Sequence, residues 1–388
     1  MSHSILRIIE IIAVLGATSS AAYYVLCLLA AATFLRERRT AAERENSAFQ
    51  PPISILKPIK GLDPEMYSSL RSHCLQDYPE FEIIFGVSDA GDPSVSIVQQ
   101  LQREFPDRVI HLVICPKILG SNVKVSNLAQ MAAQAKYEYL IVNDGDIRVE
   151  RDYLRRVIRP LAEEKVGLVT CLYRGVAAPT LGSKLEALGI GTDFCPGVLA
   201  AWKLERGINF ALGSTQAFRR ADLEKIGGFE TIVEYLADDY ELGNRIHRLG
   251  KTVHLSDVVV ETHLPPYDLR GYFAHQLRWA RGVRDSRPGG YFGLIVTFGL
   301  LWSLLVVLAS GGAAWSWIIL AATILLRAAV ASMVGKSILG DPQLDSVSWL
   351  LPLRDLLAFA IWIASFAGHT VTWRGDRFRL EKGKLIRI

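Results

Sequence analysis

The sequence predicts an α/β domain with a mainly parallel sheet, held between membrane helices. Three observations predict it. Between about residues 50 and 287, short apolar runs alternate with segments of helical spacing. Uncharged apolar stretches long enough to cross a bilayer flank that region on both sides. Acidic residues stand where apolar runs stop, at Asp89 and at Asp144-Gly145-Asp146. Strands alternating with helices favour a parallel sheet covered on both faces. Ligands of such sheets sit at the C-terminal ends of the strands.

The elements follow in chain order. Residues 11–34 carry no charge, and about 20 apolar residues span the hydrocarbon core. A secretory signal peptide is the competing reading. Glu10, however, falls in what would be its basic n-region, and the apolar run is too long. A retained transmembrane helix over 1–36 is therefore expected. Arg36, Arg38 and Arg39 come at its end and, by the positive-inside rule, put that end in the cytoplasm. Residues 40–50 read as a polar linker closed by Pro51-Pro52. The spacing predicts strands over 53–56, 81–88, 109–114 and 139–142, and helices over 63–77, 93–105 and 124–135. In 236–250, Leu242, Ile246 and Leu249 mark a short helix that Gly250 can end. Wound as a helix, residues 268–284 put Tyr272, Trp279 and Val283 on one arc and Arg270, Arg278 and Arg281 on another. Such a helix either lies in a membrane interface with its basic groups towards headgroups, or packs on the domain.

Residues 288–371 are expected to return to the membrane. Spans are predicted at 291–310 and 313–334, joined by Ser310-Gly311-Gly312, and a further apolar stretch covers about 347–368. Arg327 lies inside the second of these and Arg354-Asp355 interrupts the third. Charges at such positions are costly and face protein or a functional site. The tail, 372–388, is basic and expected in the cytoplasm. Three full spans after a cytoplasmic domain would place it outside, so one segment is expected to be re-entrant, interfacial or split.

Composition narrows the function. Half the residues are hydrophobic and mean hydropathy is +0.23, high for a soluble protein. A net charge of +4 on 388 residues gives little reason to expect nucleic acid. The five cysteines are scattered and form no CxxC pair, against a disulfide framework or zinc site and for a reducing compartment.

The acidic residues carry the chemistry. A D-x-D at a strand end suits a hard divalent cation, Mg²⁺ or Mn²⁺, which takes one or two carboxylates and completes its shell with phosphates. An Asp-Gly turn with no ligand is the competing reading. Asp89 adds a second acidic strand end, and Asp238-Asp239 open the helix in 236–250. One of that pair can be an N-cap, which leaves the other free. Arg278 in HQLRWARGVR suits bidentate phosphate contacts, and Trp279 suits a membrane-adjacent position.

Strand–Asp, D-x-D, a late acidic pair and Arg-Trp, in that order, resemble an inverting glycosyltransferase of the GT2 type with the GT-A (Rossmann-like) fold. SILKPIKGLDPEMYSSL, CLQDYP, GSNVKVSNL, NDGDIRV, LVTCLYRG, ADDYELG and HQLRW narrow the likeness to the ceramide glucosyltransferase family, GT21. Within it they resemble the bacterial branch, which includes hopanoid-pathway enzymes acting on bacteriohopanetetrol. The motifs cover roughly 50–285 and the rest matches by layout.

The resemblance implies a cytoplasmic transferase domain over 50–287 in an integral, multi-pass protein of a bacterial inner membrane. The donor would be a UDP-sugar. The acceptor would be a lipid, ceramide or a hopanoid polyol. The cofactor would be Mn²⁺ or Mg²⁺. Asp89 matches the first acid, which contacts the nucleotide. Asp144 matches the second, and Asp146 completes a D-x-D that animal ceramide enzymes do not fully keep; these two would hold metal and diphosphate. Asp239 matches the catalytic base, with Asp238 as rival. Arg278 and Trp279 end the (Q/R)xxRW motif, but its first position here is His275, with Gln276 beside it. Lys124 sits in a segment that lies near the nucleotide. A processive polysaccharide synthase shares several of these elements, but carries more membrane helices and begins the last motif with Gln. A membrane scaffold with a degenerate transferase domain is expected to have lost the acids, and all are present here.

Overall fold

The computed structural model describes residues 2–43, 49–373 and 375–388. Residues 44–48 of the linker predicted at 40–50, and Arg374 of the tail, lie outside the described residues; the first helix runs on through Glu43. Eight strands form one sheet: β1 (Ile53–Pro58), β2 (Phe81–Val87), β3 (Val109–Ile114), β4 (Tyr139–Val142), β5 (Ile147–Arg148), β6 (Val166–Val176), β7 (Gln216–Arg219) and β8 (Thr252–His263). Their order is β3-β2-β1-β4-β7-β6-β8-β5.

The first four strands coincide with the predicted ones and run parallel, with Ile55 of β1 opposite both Ile83 and Ile141. β1 and β2 are buried along their whole length, as continuous apolar strands covered on both faces must be. The chain runs outward from β1 through β2 to β3, then returns to place β4 on β1's other side. That reversal is where open α/β sheets bind ligands, and Asp144 follows β4 after one residue, Asn143. β7 then pairs antiparallel to both β4 and β6, so the sheet is mixed beyond β4.

Helices Ser4–Thr40, Ala314–Ile338 and Leu344–Phe366 are each long and apolar enough to cross a membrane. A fourth candidate, Pro288–Thr297 with Gly299–Ala309, is bent by 52° at Phe298. The bend falls in the stretch predicted as 291–310 and makes it a broken span or a re-entrant loop.

The charges inside these helices face protein. Arg327 makes a two-pronged pair with Asp355, Nε–Oδ2 2.9 Å and Nη2–Oδ1 2.8 Å, and donates through Nη1 to the Thr192 carbonyl at 2.8 Å. Arg354 reaches Asp193 at 2.6 Å and Asp355 at 3.4 Å. Two cations and two anions thus cancel within one cluster, the condition under which charge is tolerated at such positions. The cluster also ties two apolar helices to segment 190–194, which continues helix Leu181–Gly189 of the transferase domain.

Two regions depart from expectation. The basic tail is folded: β9 (Thr370–Trp373), β10 (Asp376–Glu381) and β11 (Lys384–Arg387) make an antiparallel sheet around Val371, Phe378, Leu380 and Leu385. Helix Leu269–Ser286 packs on the protein. Tyr272 is buried, but Val283 on the same arc is 49% exposed. Arg281, expected to face headgroups or nucleotide, donates instead to the carbonyls of Thr370 and Ala367, the second of them left open at the C-terminus of helix Leu351–Phe366.

Candidate active site

The Asp-Gly-Asp turn is fastened from below. Asn143, the buried residue after β4, donates through Nδ2 to the Ser214 carbonyl (2.7 Å), Tyr153 Oη (2.9 Å) and Thr215 Oγ1 (3.2 Å). Lys57 of β1 is fully buried, and its Nζ donates to the Asp144 carbonyl at 3.0 Å, with His73 Nε2 3.5 Å away. Burial presses Lys57 down to about 7 against the pull of Asp146 and Asp144. At Gly145 a Cβ would stand 3.3 Å from Ile59 Cγ2 and 3.6 Å from the Pro58 carbonyl, with Asp63 Oδ2 at 3.9 Å. Glycine therefore lets the turn settle on the end of β1.

Lys124 joins two of the predicted acids, Asp144 and Asp238. It lies in the first turn of helix Val123–Ala132, and its Nζ is 2.7 Å from Asp144 Oδ1 and 3.0 Å from Asp238 Oδ2. Burial would lower its pKa, but the two carboxylates outweigh that and hold it above the ordinary lysine value. Lys124 is thus a fixed cation between the D-x-D and the late acidic pair.

Neither Asp238 nor Asp239 is the helix cap. The cap position is Ala237, and both acids lie in the first turn of helix Asp238–Arg248, where the dipole favours negative charge. The side chain of Asp238 is only 10% exposed, paired with Lys124. Asp239 accepts from the Gly213 N–H through Oδ2 and from the Tyr240 N–H through Oδ1, both at 2.8 Å. A Cβ on Gly213 would lie 2.7 Å from Asp144 Oδ2 and 3.5 Å from Asp239 Oδ2. The missing side chain at 213 therefore makes room for both carboxylates to converge. Burial and the Asp238 carboxylate push Asp239 up to about 6, although Lys124 and the Tyr240 N–H oppose the shift. Asp146 also rises to about 6, through burial and the Asp144 charge, against a hydrogen bond from Thr262.

The acidic pair is held from two sides. Asn122 caps helix Val123–Ala132 through Val125 N–H at 3.2 Å, and its Nδ2 donates to the Tyr235 carbonyl at 2.8 Å. On the other side, Leu236 N–H donates to the Gly383 carbonyl (3.0 Å) and Leu385 N–H to the Glu234 carbonyl (2.7 Å). The C-terminal sheet thus extends onto the loop that delivers Asp238 and Asp239.

The remaining predicted residues lie around this centre. Asp89 is exposed in a turn beyond β2, its Oδ1 accepting from Gly91 N–H at 2.9 Å, and it does not join the carboxylate cluster. Trp279 and the half-buried Arg278 lie on helix Leu269–Ser286. Trp279 belongs to an aromatic row: Tyr267 stacks on His275 (5.3 Å), His275 meets Trp279 (5.4 Å), Trp279 meets Phe194 (6.2 Å), and Phe194 meets Tyr173 (5.4 Å). His275 Nδ1 lies 3.1 Å from the buried Glu186. The imidazole at this motif position has a carboxylate to satisfy.

Sequence reasoning missed Gly213, Asn122, Lys57 and the C-terminal sheet. One signal was present for Lys57: a lysine in an otherwise apolar strand, ISILKP, must find a buried partner.

Asp144 and Asp146 fit a hard divalent cation by donor chemistry. Both offer carboxylate oxygens, and the Asp144 side chain is 39% exposed. Among the described residues no three His, Cys, Asp or Glu side chains gather into a cation cage. Two carboxylates completed by substrate phosphates are the usual arrangement for Mg²⁺.

This sheet order, with its carboxylates at the switch point, is the GT-A fold of glycosyltransferases. A mannosyltransferase, PcManGT from Pyrobaculum calidifontis, solved with GDP-Man and Mn²⁺, shares the fold at a TM-score of 0.52 and 22% identity, over 92% of this chain and 98% of that one. The model of glycosyl transferase family 21 matches residues 12–386, and the chain belongs to that family. Its relatives include ceramide glucosyltransferase 1 of Caenorhabditis elegans, 24% identical over 87% of this chain and 73% of that protein. Ceramide glucosyltransferase of Komagataella phaffii is 23% identical over 97% and 91%.

Proposed function

We propose that this glycosyltransferase moves one sugar from a UDP-sugar to a lipid hydroxyl at the cytoplasmic membrane face, with inversion, as a ceramide glucosyltransferase does with UDP-glucose and ceramide. The observation that carries this reading is Asp239: a carboxylate raised to about 6, held by two backbone N–H groups, beside the D-x-D. In this reading residues 50–287 carry the reaction, 1–36 and 288–371 hold it at the membrane, and 372–388 stay cytoplasmic.

Each residue has a role in it. Asp144 and Asp146 hold Mn²⁺ or Mg²⁺ and orient the diphosphate. The bound metal supplies positive charge against the negative charge growing on UDP. Lys124 pairs with Asp144 and Asp238 and holds both carboxylates in place. Asp89 contacts the nucleotide, and Arg278 meets phosphate charge. Trp279 lines the acceptor side within its aromatic row. Asp239 takes the proton from the lipid hydroxyl as the new bond forms, on the face opposite UDP. An α-linked donor sugar then gives a β-glycoside.

The test is a donor-by-acceptor matrix. Detergent-purified protein with Mn²⁺ or Mg²⁺ receives UDP-glucose or UDP-N-acetylglucosamine, against ceramide or bacteriohopanetetrol, and lipid products are read by mass spectrometry. One hexose on ceramide supports the reading. One N-acetylhexosamine on the hopanoid keeps the mechanism and changes the substrates. A long polysaccharide overturns it. In the same assay Asp144→Ala is expected to weaken metal-dependent UDP binding at least tenfold; unchanged affinity in a titration would return the D-x-D to a plain turn.

A pH profile tests the base. Above about 6 Asp239 is ionised and can accept a proton; below it the group is protonated and cannot. With saturating substrates, kcat is therefore expected to fall about tenfold per pH unit on the acid side of 6. A flat profile down to pH 4.5 would remove Asp239 from this role.

A further inference from the structure

A second cleft, of about 270 Å³, opens where two apolar helices end. Arg38 enters it from the last turn of helix Ser4–Thr40, and Ser337 to Gly340 from the end of helix Ala314–Ile338. Arg148, Arg156 and Arg174 line it from the transferase domain. None of its lining residues is among the carboxylates or Lys124 of the candidate active site.

The four guanidinium groups are unequally satisfied. Arg156 pairs with Asp257 at 2.7 Å and Asp152 at 3.2 Å. Arg174 binds Glu261 through Nε at 3.0 Å and the carbonyls of Leu339 and Gly340 at 2.9 Å. Both are neutralised, and Arg174 also braces the helix end. Arg38 makes one hydrogen bond, from Nη1 to the Ile338 carbonyl at 3.0 Å, and meets no carboxylate within ion-pair distance among the described residues. Arg148 lies 3.7 Å from Glu261, beyond hydrogen-bond reach, on a carboxylate already taken by Arg174; its side chain is 51% exposed. Glu150, exposed, is the remaining acid of the lining. Arg36 and Arg39 point to solvent, whereas Arg38 is turned into the cleft.

A guanidinium carries five N–H donors in a planar fork that matches phosphate oxygens. Two such forks have spare donors: Arg38 in the last turn of a membrane-length helix, and Arg148 at the domain edge that lines the same cleft. A phospholipid whose tails run along that helix would bring its phosphate to them. We propose that Arg38 and Arg148 bind the phosphate of an anionic phospholipid at the membrane surface, at a site separate from that of sugar transfer. The site stands whether or not the sugar-transfer reading does, because it uses none of the same side chains. An occupied site would hold the first helix, the helix Ala314–Ile338 and the domain in one arrangement.

The test uses the full chain in liposomes of equal phosphatidylglycerol and phosphatidylcholine, extracted into detergent, with retained lipid read by native mass spectrometry. The wild type is expected to retain phosphatidylglycerol at least tenfold over phosphatidylcholine. Arg38→Gln with Arg148→Gln is expected to lose the preference. Ser337→Asp, at an exposed lining position, is expected to lose it too, and leaves the arginine contacts with the helix end in place. Retention of no lipid, with inorganic phosphate raising the Tm of the wild type but of neither variant, would assign the same site to a soluble phosphate and overturn the lipid. Equal retention and equal Tm responses in all three proteins would overturn the site.

Discussion

Asp239→Asn is expected to lower kcat by about 10²–10⁴-fold, the usual contribution of a general base, while metal-dependent UDP binding stays within threefold of wild type. The amide is nearly isosteric, so the helix and the Lys124 pairings with Asp144 and Asp238 should survive. One contact is lost in addition. The two Asp239 oxygens each accept from a backbone N–H, of Gly213 and Tyr240, and an Asn side chain has only one acceptor oxygen for two donors. Isothermal titration with UDP and metal, beside single-turnover product formation, separates the effects. Full turnover in the variant would move the base to Asp238; loss of UDP binding would make Asp239 a ligand holder instead.

The second large effect is expected from a residue that touches no substrate in this reading. Gly383 sits at φ +81°, a left-handed conformation that L side chains rarely adopt. A Cβ there would stand 3.3 Å from the Tyr235 ring and 3.5 Å from Ser286 Oγ. Its carbonyl receives Leu236 N–H, and its own N–H is donated to Asp285. Gly383→Val should break this corner and release the loop that delivers Asp238 and Asp239. A displacement of about 1 Å at a reacting group costs on the order of 10²-fold in rate. The expected outcome is a kcat loss of about that size, with UDP affinity within threefold, because Asp144 and Asp146 are fastened separately through Lys57 and Asn143. Gly383→Ala, with a smaller side chain, should lie between the two. If kcat is unchanged in a Gly383→Val protein whose far-UV circular dichroism is normal, the sheet does not position the acids.

Much of this was legible in the sequence because it is local. Strand ends are set by where apolar runs stop, and the four parallel strands were read to within two residues. Asp144, Asp146, Asp238 and Asp239 stood out because adjacent carboxylates repel and need a reason to be held together. What pairs with them was not legible. Lys124 looks like any surface lysine in sequence, and only folding places it between carboxylates from β4 and from the helix Asp238–Arg248. Arg327 and Asp355 are 28 residues apart, and neither period nor spacing says that they meet. The basic tail hid a sheet because its strands are short and its apolar residues few.

The sequence alone determined the class of this protein: an α/β transferase domain of family 21 with its acids in order, between helices of membrane length. The domain and the membrane helices depend on patterns along the chain, which the backbone periods of 2 and 3.6 residues translate directly into structure; the family rests on its motifs, which stand in the chain in order. Only the tertiary structure decided that Gly213 makes room for Asp144 and Asp239. It also decided that Asn122 and the last strands grip the loop before the acidic pair, and that Arg38 turns into a cleft while its neighbours face solvent. Each of these is a contact between residues far apart in the chain. Their energy depends on distance and burial, and neither exists until the chain has folded.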